Sequence, residues 1–186
     1  MDFRTMKPMN WILGGLFTLS GGALWAHPHT QVDQQVALTL AQDRVMVEAI
    51  IVPSIEAGAD VWAMIDQNGD GQISATEVNQ FAQGVIDATE LLIDGAPVSL
   101  NLTAATVSEM AQTVAGLGQI VIRASTDTGQ FTAQPSNVSF AINYETIAHD
   151  WYVQPYLERH WQVTLQDLQI DRATHNKVTL GFNYPS

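Results

Sequence analysis

Residues 44–53 read RVMVEAIIVP, a run of β-favouring residues that alternates between two sides of an extended backbone. A similar run fills residues 31–40, and only Ala41-Gln42-Asp43 separates the two, so the pair reads as a β-hairpin. The same period of two returns further along the chain. It is carried by Val98, Leu100 and Leu102, by Ile120, Ile122 and Ala124, by Val138, Phe140, Ile142 and Tyr144, by Val163 and Leu165, and by Val178, Leu180, Phe182 and Tyr184. Each alternation turns one face to a core and the other to water, and seven or so such strands predict an antiparallel β-sandwich. Residues 104–117 fit a short helix or a strand equally, and residues 145–160 (ETIAHDWYVQPYLERH) read as a long connection.

One segment breaks the strand pattern. Between residues 54 and 92, Ile55, Ala59, Trp62 and Ala63, then Val78, Phe81, Val85 and Thr89, recur at three- and four-residue spacing. That spacing predicts two amphipathic helices around a polar loop, inserted into an otherwise mainly β chain.

Composition narrows the class. The chain has 186 residues, 46% of them hydrophobic and 14% charged, which is material for one packed core and too little charge for a disordered acidic tail. Asp and Glu number 19 against 7 Lys and Arg, a formal charge of -12. No clustered basic surface exists to hold phosphates, so nucleic acid is excluded as a partner. With no cysteine, any metal site must be built from oxygen and imidazole.

Residues 1–26 have the plan of a secretory signal: Arg4 and Lys7 come first, then the uncharged apolar run 11–26 (WILGGLFTLSGGALWA) ending in a small residue. A retained anchor is the alternative, the 16 uncharged residues being slightly short of the ~17 to 25 that span a bilayer. Cleavage predicts a mature domain of residues 27–186, with no membrane span, in the periplasm or secreted. Removing Asp2, Arg4 and Lys7 leaves 18 acidic and 5 basic side chains, a charge of -13 that attracts cations.

The polar loop, residues 66–77, reads DQNGDGQISATE. Asp66, Asn68 and Asp70 stand at alternate positions, Gly71 permits a sharp turn, Gln72 offers its carbonyl, and Ser74 and Glu77 follow. These groups make an all-oxygen donor set with three carboxylates, suited to a hard divalent cation. The alternative is a solvated acidic turn. The loop and its flanking helices, residues 54–92, resemble the EF-hand family. The resemblance implies calcium ligation by Asp66, Asn68, Asp70, Gln72, Ser74 and Glu77. Ile73 matches the apolar loop position through which EF-hands pair. The sequence holds no second hand, so Ile73 is expected to pack on the β-rich body or another subunit, and calcium is expected to be structural, with the ~10⁻⁴ to 10⁻³ M affinity of extracellular modules.

Cleavage after Ala26 exposes His27-Pro28-His29. His27 and His29 are candidate ligands for nickel, copper or zinc through amine and imidazole, although Pro28 has no amide proton to release to the metal. A distant ligand is then needed from His149, Asp150, Glu158, His160 or His175. The alternatives are a frayed terminus at His27 and His29, core or lid roles for Trp151 and Trp161, and an exposed turn at His175. No nucleophile stands beside a base, and no paired carboxylates suggest catalysis.

Ala26-His27-Pro28-His29 followed by the 66–77 loop is also similar to the exported N-terminal domains of some nickel/cobalt exporters and to small periplasmic proteins linked to metal uptake. That resemblance implies a periplasmic β-rich domain that presents a transition metal or assists a membrane transporter; no transmembrane helices follow in this sequence. The expectation is therefore an exported calcium-binding module, an accessory to an envelope transition-metal transporter and not an enzyme. Two alternatives stay open: a copper-dependent enzyme using His27, and a structural or adhesive protein using its exposed sheet face.

Overall fold

Alternation in the first hairpin becomes burial in the folded chain. In the structure, a computed structural model, residues 32–126, 137–159, 161, 163–171 and 175–183 are described. Strand β1 (Val32–Leu40) turns Val32, Gln34, Val36, Leu38 and Leu40 inward, and β2 (Val45–Pro53) turns Val45, Val47, Ala49 and Ile51 to the same side. They pair antiparallel, with Val36 opposite Ala49 and Leu38 opposite Val47. Helices α1 (Gly58–Ile65) and α2 (Ala75–Asp87) come next. Then follow β3 (Thr89–Ile93), β4 (Ala96–Pro97), β5 (Leu100–Val107), the short α3 (Met110–Val114) and β6 (Ile120–Thr126). The chain closes with β7 (Asn137–Ile142), β8 (Tyr152–Leu157), β9 (Thr164–Ile170) and β10 (Lys177–Asn183).

The strands form two five-stranded sheets, ordered β5-β6-β2-β1-β8 and β4-β3-β7-β10-β9. The chain is thus mainly β with inserted helices, a sandwich-like arrangement of two largely antiparallel sheets. One core joins them, filled by Leu38, Ile51 and Ile122 from the first sheet and Phe140, Leu180 and Phe182 from the second. Burying each such side chain stabilises the fold by about 1.5–3 kcal/mol.

Several sequence expectations change. The 145–160 stretch contains β8, which lies parallel to β1 with Gln35 opposite Tyr152, so the first sheet is not purely antiparallel. The ambiguous 104–117 stretch divides, continuing β5 to Val107 and then forming α3. The second helix stops at Asp87, and Thr89 starts β3, because Leu91 is buried in the second sheet opposite Phe140. In α1 the buried face is Val61, Trp62 and Ile65, whereas Ile55 precedes the helix and is exposed, as are Ala59 and Ala63. Gly58 sets that register: a β-carbon there would overlap the Thr113 carbonyl, so its absence lets α1 start against α3. α2 packs against β5 through a stripe of Val78, Phe81, Ala82, Val85 and Ile86.

Candidate metal centre

The 66–77 loop begins where α1 runs out. Asp66 caps that helix, its N–H bonded to the Trp62 carbonyl at 2.9 Å. Its carboxylate accepts the Gly69 N–H at 2.8 Å and the Gly71 N–H at 2.9 Å. Asn68 Oδ1 accepts the Asp70 N–H, and Asp70 Oδ1 the Gln72 N–H, each at 2.8 Å. Short polar side chains bond to backbone two residues ahead in this way, and here they wind the chain tightly enough to need Gly71 at φ 80°. Open space surrounds a β-carbon built at Gly71, so the requirement for glycine is one of backbone conformation alone.

Glu77 closes the loop from the other end. Its Oε1 accepts the Asn68 N–H at 3.2 Å, and its Oε2 accepts the Ser74 N–H at 2.9 Å and the Ser74 hydroxyl at 2.8 Å. Ser74 Oγ in turn accepts the Glu77 N–H at 3.3 Å, making a capping box at the start of α2. The Ser74 N–H and then its hydroxyl hold the Glu77 carboxyl below its ordinary range, with burial opposing them and the Asn68 and Gln67 N–H groups assisting. This capping box was missed in the sequence, although the Ser-x-x-Glu spacing before an apolar stripe signals it. Ile73 is half-buried and packs on the common core, the first of its two expected positions.

The six expected ligands lie between the end of α1 and the first turn of α2, with Glu77 bonded back to the Asn68 N–H. Among the described residues, however, no three His, Asp or Glu side chains are grouped as a metal centre. The carboxylates of Asp66, Asp70 and Glu77 are turned to backbone N–H groups. The donor chemistry still fits a hard cation, because every side chain in the set offers oxygen and a carboxylate oxygen holding one N–H bond keeps a second lone pair.

His27, His29 and His160 lie outside the described residues. The other candidates partners do not converge. His149 is exposed with Nδ1 3.6 Å from Glu145 Oε2, and Asp150 and Glu158 are exposed at opposite ends of β8. His175 occupies a turn with φ 56° but is half-buried, its ring stacked on Tyr152 at 5.3 Å between centroids. Both tryptophans are core residues: Trp151 donates to the Tyr144 carbonyl at 2.7 Å, and Trp161 packs on Phe182.

Gln34 escaped the sequence reading. It is fully buried, and its Nε2 donates to the carbonyls of Ala148 and Asp150 at 3.0 and 3.1 Å, pinning the chain that leads into β8. A single polar residue among the inward-facing Val32, Val36, Leu38 and Leu40 was the available signal.

No protein-family model matches the chain, and no curated protein matches it.

Proposed function

We propose that the protein is an exported β-rich module that binds calcium in its 66–77 loop and acts as an accessory or metal-presenting partner of an envelope transporter, not as a catalyst. Asp66, Asn68, Asp70 and Glu77 would hold the ion through side chains, Gln72 through its carbonyl and Ser74 through water. Bound there, calcium supplies charge that offsets the mutual repulsion of three carboxylates, and so ties the end of α1 to the start of α2.

One observation supports the reading above the others: the 66–77 loop is wound by its own side-chain oxygens, Asp66 bonding to Gly69 and Gly71 while Glu77 reaches back to Asn68. A merely solvated acidic turn needs no such closure. The strongly acidic balance also attracts cations to the surface. The accessory role rests on the leader and on His27-Pro28-His29 in the sequence.

Isothermal titration of calcium into chelator-stripped protein tests the loop. Uptake of one ion with a Kd on the order of 10⁻⁴ to 10⁻³ M is expected, and Asp70→Ala should abolish it. Absence of heat at millimolar calcium would reduce the loop to a self-capped turn and remove the proposal.

A further inference from the structure

Alternation along β1, β2 and β6 leaves every second side chain on the outer face of the first sheet. The register sets them there in two rows: Ala37 faces Glu48 and Glu48 faces Arg123, while Thr39 faces Met46 and Met46 faces Ser125. Ala37, Thr39 and Ser125 are short, whereas Met46, Glu48 and Arg123 are long. Between them lies a cavity of about 380 Å³, lined also by Arg44, just before β2, and by Thr103. Thr103 is the extra residue of the β5 bulge, unpaired between Leu102 and Ala104, and its hydroxyl donates to the Arg123 carbonyl at 3.0 Å. Bulges often re-aim a side chain in this way beside a site.

A second hollow of about 250 Å³ adjoins the first, sharing Ala37 and Glu48 and reaching Gln154 and Tyr156 of β8. Together they form a groove across the sheet, within the ~300–1,000 Å³ usual for small-ligand sites. Its charge is opposite to that of the chain. Arg44 and Arg123 are two of only five basic residues that follow residue 26, against 18 acidic ones. Arg123 spends only its Nε on Glu48 Oε2, at 2.6 Å, and its terminal nitrogens bond to no group among the described residues. Arg44 stands 3.6 Å from the exposed Asp43, beyond hydrogen-bond distance. The lining therefore carries two positive groups and one negative, an excess of one charge, with guanidinium nitrogens left to take it up.

We propose that this groove binds a hydroxyl-rich monocarboxylate, a sugar acid of one or two rings, with its carboxylate on Arg44 and the terminal nitrogens of Arg123. The planar guanidinium fork matches a carboxylate. A single excess charge suits a monoanion, since a phosphate dianion would be left half-compensated beside Glu48. The rest of the lining selects the body of the ligand. Thr39, Thr103, Ser125, Gln154 and Tyr156 present hydroxyls and amides that match the hydroxyls of a sugar, whereas an alkyl tail lying there would strip them of water without replacing its bonds. The site is separate from the 66–77 loop and needs no calcium.

The test titrates the full chain, in chelator, with lactobionate, a disaccharide acid, and in parallel with neutral lactose, hexanoate and inorganic phosphate, following backbone amide shifts. Lactobionate should bind about tenfold or more tightly than any of the other three, the effect of a charge-assisted bond made together with the hydroxyl contacts. The shifts should centre on β1, β2 and β6. Arg44→Gln, on an exposed side chain, should weaken lactobionate about tenfold and leave lactose unchanged. Glu48→Gln should tighten it, by freeing the Arg123 Nε and removing a like charge. The proposal is overturned if lactobionate produces no shifts at tens of millimolar, if the shifts map elsewhere, or if Arg44→Gln binds as the parent does. Hexanoate or phosphate binding as tightly as lactobionate would make the groove a general anion site and equally overturn it.

Discussion

Ser74 and Glu77 form the capping box of α2 and are also proposed calcium ligands, and the two roles separate experimentally. In chelator, Ser74→Ala removes only the cap of α2 and should lower stability by about 1 kcal/mol in urea unfolding. Calcium affinity should change little, because a water mediates the Ser74 contact in the proposed site. Tyr144 offers a pH test. Burial raises its phenol above the ordinary value, against a smaller opposing bond from Thr146. A raised folded value means that the associated stability is complete below about pH 10, the unfolded value, and is lost as pH rises through the folded one. Tyr144→Phe should therefore lose less stability than the parent between neutral and strongly alkaline pH, as followed by thermal melts. The loop oxygens were legible in the sequence because their spacing is local. Gln34 was not, since its partners, the carbonyls of Ala148 and Asp150, are more than a hundred residues away.

At the scale of elements, legibility tracked how much of a segment's burial is decided by its neighbours in sequence. The first hairpin was readable because β1 and β2 each alternate along their whole length and meet through a short turn. α1 was found but rotated: GADVWAMI is apolar on most sides, so its pattern does not single out Val61 and Ile65 over Ala59 and Ala63. β3 was absorbed into the preceding helix because no glycine or proline separates Asp87 from Leu91. β8 was missed because YVQPYL does not alternate cleanly, and its place beside β1 depends on a parallel pairing that no local signal announces. The close approach of α1 to α3 leads to a firm expectation. Gly58→Ala forces a β-carbon onto the Thr113 backbone and should destabilise by about 1–3 kcal/mol, the range for overpacking. Calorimetry would measure it, and a melting temperature equal to the parent's would refute the packing described.

Across the whole molecule, the sandwich-like arrangement of two sheets around one core was predictable from the recurrence of alternating runs, and the topology was not. The loop is joined to that core at both ends, through Ile65 before it and Val78 and Phe81 after it. Ion uptake should therefore register as global stability and not as a local change. At a free calcium concentration about 100 times the Kd, linkage predicts a gain of about 2.7 kcal/mol. Thermal melts in calcium and in chelator should differ accordingly, and Asp70→Ala should bring the two curves together. The parallel neighbour of β1 has a further consequence, for the order of assembly. Gln35 meets Tyr152, so everything from residue 36 to residue 151 must be synthesised before that flank of β1 is closed. The β1–β2 hairpin can form early, but its second edge stays open to wrong partners until Tyr152–Leu157 has been made. Such non-local pairing slows folding and lengthens exposure to aggregation, and the nascent chain should lean on holding chaperones until β8 has emerged.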